Sequence, residues 1–188
     1  MNTHSDSGLD PHGIEIYLKP EVISMLFLGF SAGLPFPLVF ATLTAWLASV
    51  EIGITEISMF AWVGGVYAIK FMWAPIVDKL SLPFLSRSLG RRRAWMLCTQ
   101  FAVLLGLLAI SAINPLENLS LFAVLSVFIA FASATQDIAI DAYRIEIINN
   151  RFQGAMAAAY QLGSRLAVVI AVGRTLYIAA FNTWNLAY

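Results

Sequence analysis

Five apolar stretches of about 20 residues follow one another along this chain, separated by short polar turns. Each stretch is long enough to cross the hydrocarbon core of a bilayer, roughly 30 Å thick, as an α-helix. A hydrophobic share of 60% against 12% charged residues excludes an ordinary water-soluble domain of 188 residues. The sequence therefore predicts an all-α integral membrane protein, whose few charges within the apolar stretches are the candidates for function.

The predicted organisation is a polar tail at 1–21 followed by an incomplete helical bundle at 22–188. Helices are expected at about 22–50, 57–77, 94–113, 119–143 and 154–180, with the start of a sixth at 184–188. Because so short a last piece cannot span a membrane, we expect the chain to be a fragment of a longer protein.

Basic residues are confined to alternate polar segments. They are Lys19 in the tail, Lys79, Arg87, Arg91, Arg92 and Arg93 after the second helix, and Arg144 and Arg151 after the fourth. The two remaining turns carry Glu51, Glu56 and Glu117 and neither Lys nor Arg. Positive charge accumulates on cytoplasmic loops, so the N-terminus and the second and fourth turns are predicted to face the cytoplasm.

The first helix contains Gly29 and Gly33, followed by Pro35 and Pro37. A proline removes a backbone hydrogen bond and collides with the preceding turn, so a kink near mid-membrane is expected. Two interpretations stay open: a glycine packing face with a tolerated kink, or a helix that lines a transport cavity.

The fifth helix repeats a small residue every four positions. These residues are Ala155, Ala159, Gly163, Ala167 and Ala171. A ridge of small side chains lets two helix backbones approach closely, and packing alone accounts for it.

Two carboxylates lie four residues apart at the end of the fourth helix, on the face that also carries Ser133. A buried carboxylate such as Asp137 can bind a proton near neutral pH, as a proton-coupled carrier requires. The alternative is an ion pair that fixes helix packing, and it is favoured for Asp141 because Arg144 follows three residues later. Asp137 lies one turn deeper and is the stronger candidate for coupling or gating.

Three further charges interrupt the apolar stretches. Arg165 lies about 16 Å into the fifth helix, at 1.5 Å per residue, and so near the bilayer centre. It needs a carboxylate, carbonyl groups or an anionic substrate, with Asp137 as a possible partner and Gln161 one turn away. Lys70 is either structural, with its ammonium reaching the cytoplasmic surface, or functional, and Arg174 is expected to reach the outer surface.

The chain shows no set of residues typical of an enzyme. It has no paired Ser and His, no H-E-x-x-H motif and no phosphate-binding loop, so neither an activity of this kind nor a cofactor is predicted. His4 and His12 lack further ligands at useful spacing, which disfavours a metal site. The run Gly90–Arg93 lies between two membrane helices and indicates topology and a cytoplasmic gate rather than nucleic-acid binding.

Several short strings carry a family resemblance. Asp78-Lys79 and Gly90-Arg91-Arg92-Arg93 resemble the loop motif of the major facilitator superfamily, although Ala74 replaces its first glycine and the spacer is longer. A narrower set is similar to AmpG-type muropeptide permeases and, more loosely, to the related acetyl-coenzyme A transporters. It comprises Gly29-Phe-Ser-Ala-Gly-Leu-Pro35, Leu43-Thr-Ala-Trp46, Lys70-Phe-Met-Trp-Ala-Pro75, Gly90-Arg-Arg-Arg-Ala-Trp95, Ala134-Thr-Gln-Asp-Ile-Ala-Ile-Asp-Ala142 and Leu162-Gly-Ser-Arg165.

The resemblance implies a carrier in the bacterial inner membrane, built from two six-helix halves of which the C-terminal half is missing here. It would import anhydromuropeptides with protons during cell-wall recycling, a process linked to β-lactamase induction. The expected cavity residues are Arg165, Gln161, Gly33, Pro35 and Gln136, and the expected gate loop is Asp78, Lys79, Gly90, Arg91, Arg92 and Arg93.

Two alternatives stay open at this point. A facilitator-fold carrier could take another anionic substrate, such as acetyl-coenzyme A or a peptide. The other alternative is a five-helix membrane protein that serves interactions and has no transport activity. The unfinished sixth helix argues against this alternative. Lipid is the expected environment in every case.

Overall fold

The computed structural model describes residues 14–147 and 152–188, which form helices joined by short turns. Within these residues four helices are long and apolar enough to cross a membrane: α1 Pro20–Ser49, α3 Arg91–Ser111, α4 Leu119–Ile147 and α5 Gln153–Phe181. Between α1 and α3 lies a divided segment, α2, at 54–79, and α6 comprises Trp184–Ala187. The prediction of an all-α membrane fold is confirmed. His4, His12 and Arg151 lie outside the described residues.

The path of α1 changes where its two prolines lie. Its first part, Pro20–Gly33, is a regular α-helix, and a π-helical turn at Leu38–Thr42 follows the turn Pro35–Pro37. Proline has no backbone N–H to donate, so each proline removes one hydrogen bond of the helix. Helices often accommodate such an irregularity with a single π-helical turn. Regular helix resumes at Leu43–Ser49. The predicted proline break is therefore a widened turn inside a continuous helix.

The segment α2 differs from the single helix predicted at about 57–77. It consists of three six-residue α-helices, Ile54–Met59, Val63–Ala68 and Ala74–Lys79, separated by 3₁₀ turns at Phe60–Trp62 and Lys70–Met72. Pro75 explains the second interruption, because it cannot donate to the carbonyl four residues earlier and clashes with it. The segment therefore crosses the bundle as a chain of short helical pieces.

Glycines bring α1 and α5 into backbone contact. A Cβ atom added to Gly29 would overlap the backbone of Tyr160, and one added to Gly163 would overlap the carbonyl of Leu26. The ridge on α5 forms this interface, with Ala159, Gly163, Ala167 and Ala171 buried and Ala155 partly buried. The packing interpretation of the α5 ridge is confirmed, and the glycines of α1 form the other side of the same contact.

Two apolar clusters lie at opposite ends of the bundle. One contains Met25, Met96, Ile140 and Met156, from α1, α3, α4 and α5. We call this the basic end, because the Asp78–Arg92 and Lys19–Phe152 contacts lie beside it.

The opposite end is held by aromatic packing. Trp46 of α1 packs edge-on against Phe122 of α4, with ring centroids 5.2 Å apart, and stacks on Trp184 of α6 at 6.1 Å. Phe60 of α2 belongs to the same cluster. Since Asp78 lies at the basic end, α2 passes from one end of the bundle to the other despite its interruptions.

Candidate functional site

A cavity of about 500 Å³ opens between α1, α2, α4 and α5. Its wall includes four residues that the sequence analysis selected: Gly33, Asp137, Gln161 and Arg165. They come together because the close contact of α1 with α5 brings Gly33 against Ser164, next to Arg165. The lining is mostly apolar and aromatic with a few polar groups, a composition typical of small-molecule sites.

Asp137 is held by two groups at this cavity. The ammonium Nζ of Lys70 lies 3.5 Å from Asp137 Oδ2, and the Tyr160 hydroxyl donates a hydrogen bond to Oδ1 at 3.3 Å. Lys70 reaches Asp137 from the 3₁₀ turn of α2 that precedes Pro75. Two alternatives were open for Lys70 from the sequence, and the ion pair with Asp137 disfavours the one in which its ammonium extends to the cytoplasmic surface.

Arg165 lines the cavity but is not the partner of Asp137. Among the described residues it forms no ion pair, and its side chain is exposed toward the cavity opening. The internal Arg165–Asp137 pair considered from the sequence is therefore wrong, because the carboxylate is taken up by Lys70. A guanidinium that lines a cavity, with no carboxylate paired to it among the described residues, is suited to bind an anionic group of a ligand.

Two residues expected in the cavity lie elsewhere. Gln136 is buried in the α4 interface, where its amide donates to Ser31 Oγ at 3.3 Å, and Gln100 donates to the same oxygen at 2.7 Å. Pro35 is buried as well and does not line the cavity. Both residues face packed helices rather than the open space, so their placement in the cavity is corrected.

Asp141 lies one turn from Asp137 in a different setting. It is exposed and pairs with Arg144 at 3.6 Å along the same helix. The expected ion pair is therefore present. Ser133, on the same stripe, is buried, and its hydroxyl has no hydrogen-bond partner among the described residues.

The arginines of the gate loop point in different directions. Arg92 bridges two helices, with Asp78 Oδ1 at 2.6 Å and Glu146 Oε1 at 2.9 Å, and its side chain is only 12% exposed. Arg93 donates to the Tyr143 hydroxyl at 3.3 Å. Arg91 is exposed. Of the three, Arg92 connects α2, α3 and α4 at the basic end.

The neighbouring gate-loop residues have simpler placements. Lys79 is exposed at the end of α2. Gly90 adopts a φ of 81°, a left-handed conformation that suits glycine at the start of α3. A short helix, Leu85–Leu89, occupies the spacer before it.

Sequence reasoning missed several residues of these sites. Glu146 was overlooked because no spacing links it to Arg92, 54 positions away. The aromatic side chains Phe36, Phe40 and Tyr67 were overlooked because aromatic residues in apolar stretches resemble ordinary packing. The signal available in the sequence was the position of Phe36 between two prolines, at the expected break.

These features define a class of protein. The bundle has a cavity between its helices, charges within its membrane segments and a charged loop between its second and third segments. Such a bundle is a multi-pass membrane protein of the major facilitator type. The family model described as "Acetyl-coenzyme A transporter 1" matches residues 22–185, and the chain belongs to this family.

Individual relatives agree with that assignment. The chain is 38% identical to the "Anhydromuropeptide permease" of Escherichia coli K12 over 166 aligned residues. The aligned residues make up 88% of this chain and 33% of that relative. It is 34% identical over 176 residues to the "Putative transporter AmpG 4" of Rickettsia conorii, covering 93% of this chain and 42% of that protein. The resemblance to AmpG-type permeases is confirmed. The chain spans less than half the length of these relatives.

Proposed function

We propose that this chain forms part of a proton-coupled importer of anhydromuropeptides. The observation that carries the proposal is the cavity, which combines a guanidinium, Arg165, that has no ion-pair partner among residues 14–147 and 152–188 with a carboxylate in an internal ion pair, Asp137. Muropeptides carry carboxylates that Arg165 can bind. The name of the Escherichia coli relative supports this class of cargo.

Asp137 is the residue to which we assign proton coupling. Protonation would remove its negative charge and release the ammonium of Lys70. Because Lys70 belongs to α2 and Asp137 to α4, loss of the pair loosens the contact between these two elements. Proton binding is thereby linked to movement of α2, as a carrier that alternates between two open states requires.

The basic end is assigned to the cytoplasm of the bacterial inner membrane. The alternation of Lys and Arg along the chain supports this orientation. There Arg92 would act as a latch, because it holds Asp78 and Glu146 together in one of the two states. With this cargo the protein would take part in the recycling of cell-wall fragments. The proposed link to β-lactamase induction rests on the resemblance to AmpG-type permeases.

A coenzyme A ester is the second candidate cargo. The description of the matching family model favours it, and its phosphates suit Arg165 as well as carboxylates do. Competition separates the two. If anhydromuropeptide is the cargo, its unlabelled form in excess blocks uptake of the labelled form; if a coenzyme A ester is the cargo, excess anhydromuropeptide leaves uptake of that ester unchanged.

The decisive experiment measures uptake of labelled anhydromuropeptide by cells that express the complete protein carrying this chain. We expect uptake that a proton uncoupler abolishes. Asp137→Asn should lower it about tenfold, whereas Asp141→Asn should stay within about twofold, because Asp141 is exposed and paired along its own helix.

A second matched pair tests the anion site. Arg165→Gln should raise KM, while Arg174→Gln, an exposed arginine of the same helix outside the cavity, should not. Equal expression of all variants is verified on membranes. Uncoupler-resistant uptake, or equal losses in Asp137→Asn and Asp141→Asn, contradicts the proposed coupling.

A further inference from the structure

Three aromatic rings form a continuous part of the cavity wall. The rings of Phe36 and Phe40 have centroids 4.6 Å apart, and Tyr67 lies 5.5 Å from Phe36 and 6.0 Å from Phe40. All three residues line the cavity. We call this group the aromatic wall. It joins two elements, because Phe36 and Phe40 belong to α1 and Tyr67 to α2.

The irregular stretch of α1 determines the position of two of these rings. Phe36 lies between Pro35 and Pro37, and Phe40 lies within the π-helical turn. A π turn alters the angular spacing of the side chains that follow it, and such turns occur frequently at functional sites. The local disturbance thus coincides with the cavity surface.

Packing between helices does not bury these rings completely. The Phe36 side chain is 50% exposed even though its neighbours Pro35 and Pro37 are buried. The hydroxyl oxygen of Tyr67 is buried, so the ring of Tyr67 rather than its hydroxyl faces the cavity. The cavity surface here is therefore formed by aromatic carbon.

The part of the wall that α5 contributes has a different chemistry. Gln161 and Arg165 are four residues apart and share one helix face, with Ser164 beside them. A ligand in the cavity consequently meets aromatic carbon from α1 and α2 and hydrogen-bond donors from α5. Sites of this type orient a ligand that has an apolar face and an anionic group.

We propose that the aromatic wall is a sugar-binding subsite, on which a pyranose ring of the ligand stacks while Arg165 binds a carboxylate. The axial C–H groups of a pyranose form an apolar face that packs against the negative face of an aromatic ring. The cavity of about 500 Å³ lies within the range of small-ligand sites. This inference rests on the proposed function and names the residues that select the saccharide portion of the cargo.

The test is equilibrium binding to the purified complete protein in detergent. The probes are the anhydro-disaccharide without peptide, the free stem peptide, and the whole anhydromuropeptide. The double variant Phe36→Leu/Phe40→Leu should weaken disaccharide binding about tenfold and leave peptide binding unchanged, because it keeps apolar volume and removes the rings. Arg165→Gln should weaken the peptide probe more than the disaccharide.

A matched control makes the result specific. Phe27→Leu changes an exposed phenylalanine of the same helix that does not line the cavity, and it should bind all probes like the wild type. Tyr67→Leu removes the third ring of the aromatic wall and should weaken disaccharide binding as the double variant does. It carries the test, against the same control, if the double variant fails to fold by gel filtration and circular dichroism.

The outcomes separate this inference from the proposed function. Disaccharide binding that the ring variants leave unchanged, or that Phe27→Leu weakens equally, overturns the aromatic wall as a subsite. Absence of disaccharide binding to the wild type overturns it as well. Ring-dependent disaccharide binding without uptake in cells supports the subsite and contradicts the transport function.

Discussion

The α1–α5 pair and the segment α2 are attached to the bundle in opposite ways. The α1–α5 interface is a backbone contact, where glycines at 29, 33 and 163 leave no room for a side chain. Among the residues of α2 whose burial the structure describes, the buried hydrophobic ones are Phe60, Val63 and Val77. The helical hydrogen bonding of α2 is interrupted twice. Its contacts with α4 are side-chain contacts, such as the hydrogen bond from Trp73 Nε1 to Thr135 Oγ1 at 3.1 Å and the packing of the Trp73 ring against Phe131 at 4.9 Å.

The difference indicates which element moves. Packed backbones have few alternative arrangements, so α1 and α5 form a rigid pair. A segment of short helical pieces opens locally at lower cost, because fewer hydrogen bonds and apolar contacts are broken. The Lys70–Asp137 ion pair and the aromatic wall both join α2 to the rest of the bundle. We therefore expect the cavity to lie between a fixed part, α1 with α5, and a movable part, α2.

The largest effect is expected where the backbones touch. Gly163→Ala places a methyl group against the Leu26 carbonyl and the Phe30 amide, which are backbone atoms that cannot rotate away. We expect a loss of about 3 kcal/mol in stability, seen as a lower thermal unfolding midpoint and a lower yield of folded protein.

The matched control is Gly173→Ala on the same helix. A Cβ atom at Gly173 meets nothing within 4 Å, so alanine should be neutral or stabilise the helix by up to about 1 kcal/mol. If both variants unfold at the same temperature, the close contact of α1 with α5 is not a stability determinant and the comparison fails.

A somewhat smaller effect is expected in hydrogen exchange. Amides of α2 at 54–79 should exchange about 100-fold faster than those of Pro20–Gly33 and of the buried face of α5. Mass spectrometry of peptides from the complete protein in nanodiscs measures both regions in one sample. Equal protection would show α2 to be as firmly held as α1, and would remove the basis for calling it the movable part.

The smallest effect is expected at the basic end. Arg92→Gln removes a guanidinium that bridges Asp78 and Glu146 and leaves two half-exposed carboxylates unpaired. We expect a loss of about 1 kcal/mol that shrinks at high salt, because exposed charges are screened. Arg91→Gln removes the same charge from an exposed position and should cause no measurable change. If the two variants lose equal stability, the stabilisation comes from the total positive charge of the loop and not from the contacts of Arg92.

Parts of the candidate site were accessible from sequence spacing alone. Asp141 and Arg144 are three residues apart on a helix, and their pairing followed from helix geometry. The position of Arg165 well inside the fifth helix followed from a count of residues. Both inferences concern one helix and therefore need no knowledge of its neighbours.

Contacts between helices were not accessible in the same way. Gln136 and Asp137 are adjacent in sequence, yet one packs against Ser31 and the other lines the cavity. In lipid the apolar side chains of a helix do not distinguish its buried face from its exposed face, so the rotation of α4 could not be derived. The partner of Asp137 followed only from the position of Lys70 on α2.

The sequence by itself determined that this is a helical membrane protein with a proline-disturbed first helix and a close-packing fifth helix. These are properties of single stretches, because a bilayer requires each spanning segment to satisfy its own backbone and small residues act locally. Only the tertiary structure decided that Lys70 neutralises Asp137, that Arg165 faces an open cavity, and that three aromatic rings line it. These features depend on the rotation and register of helices against one another, which many distant contacts set together.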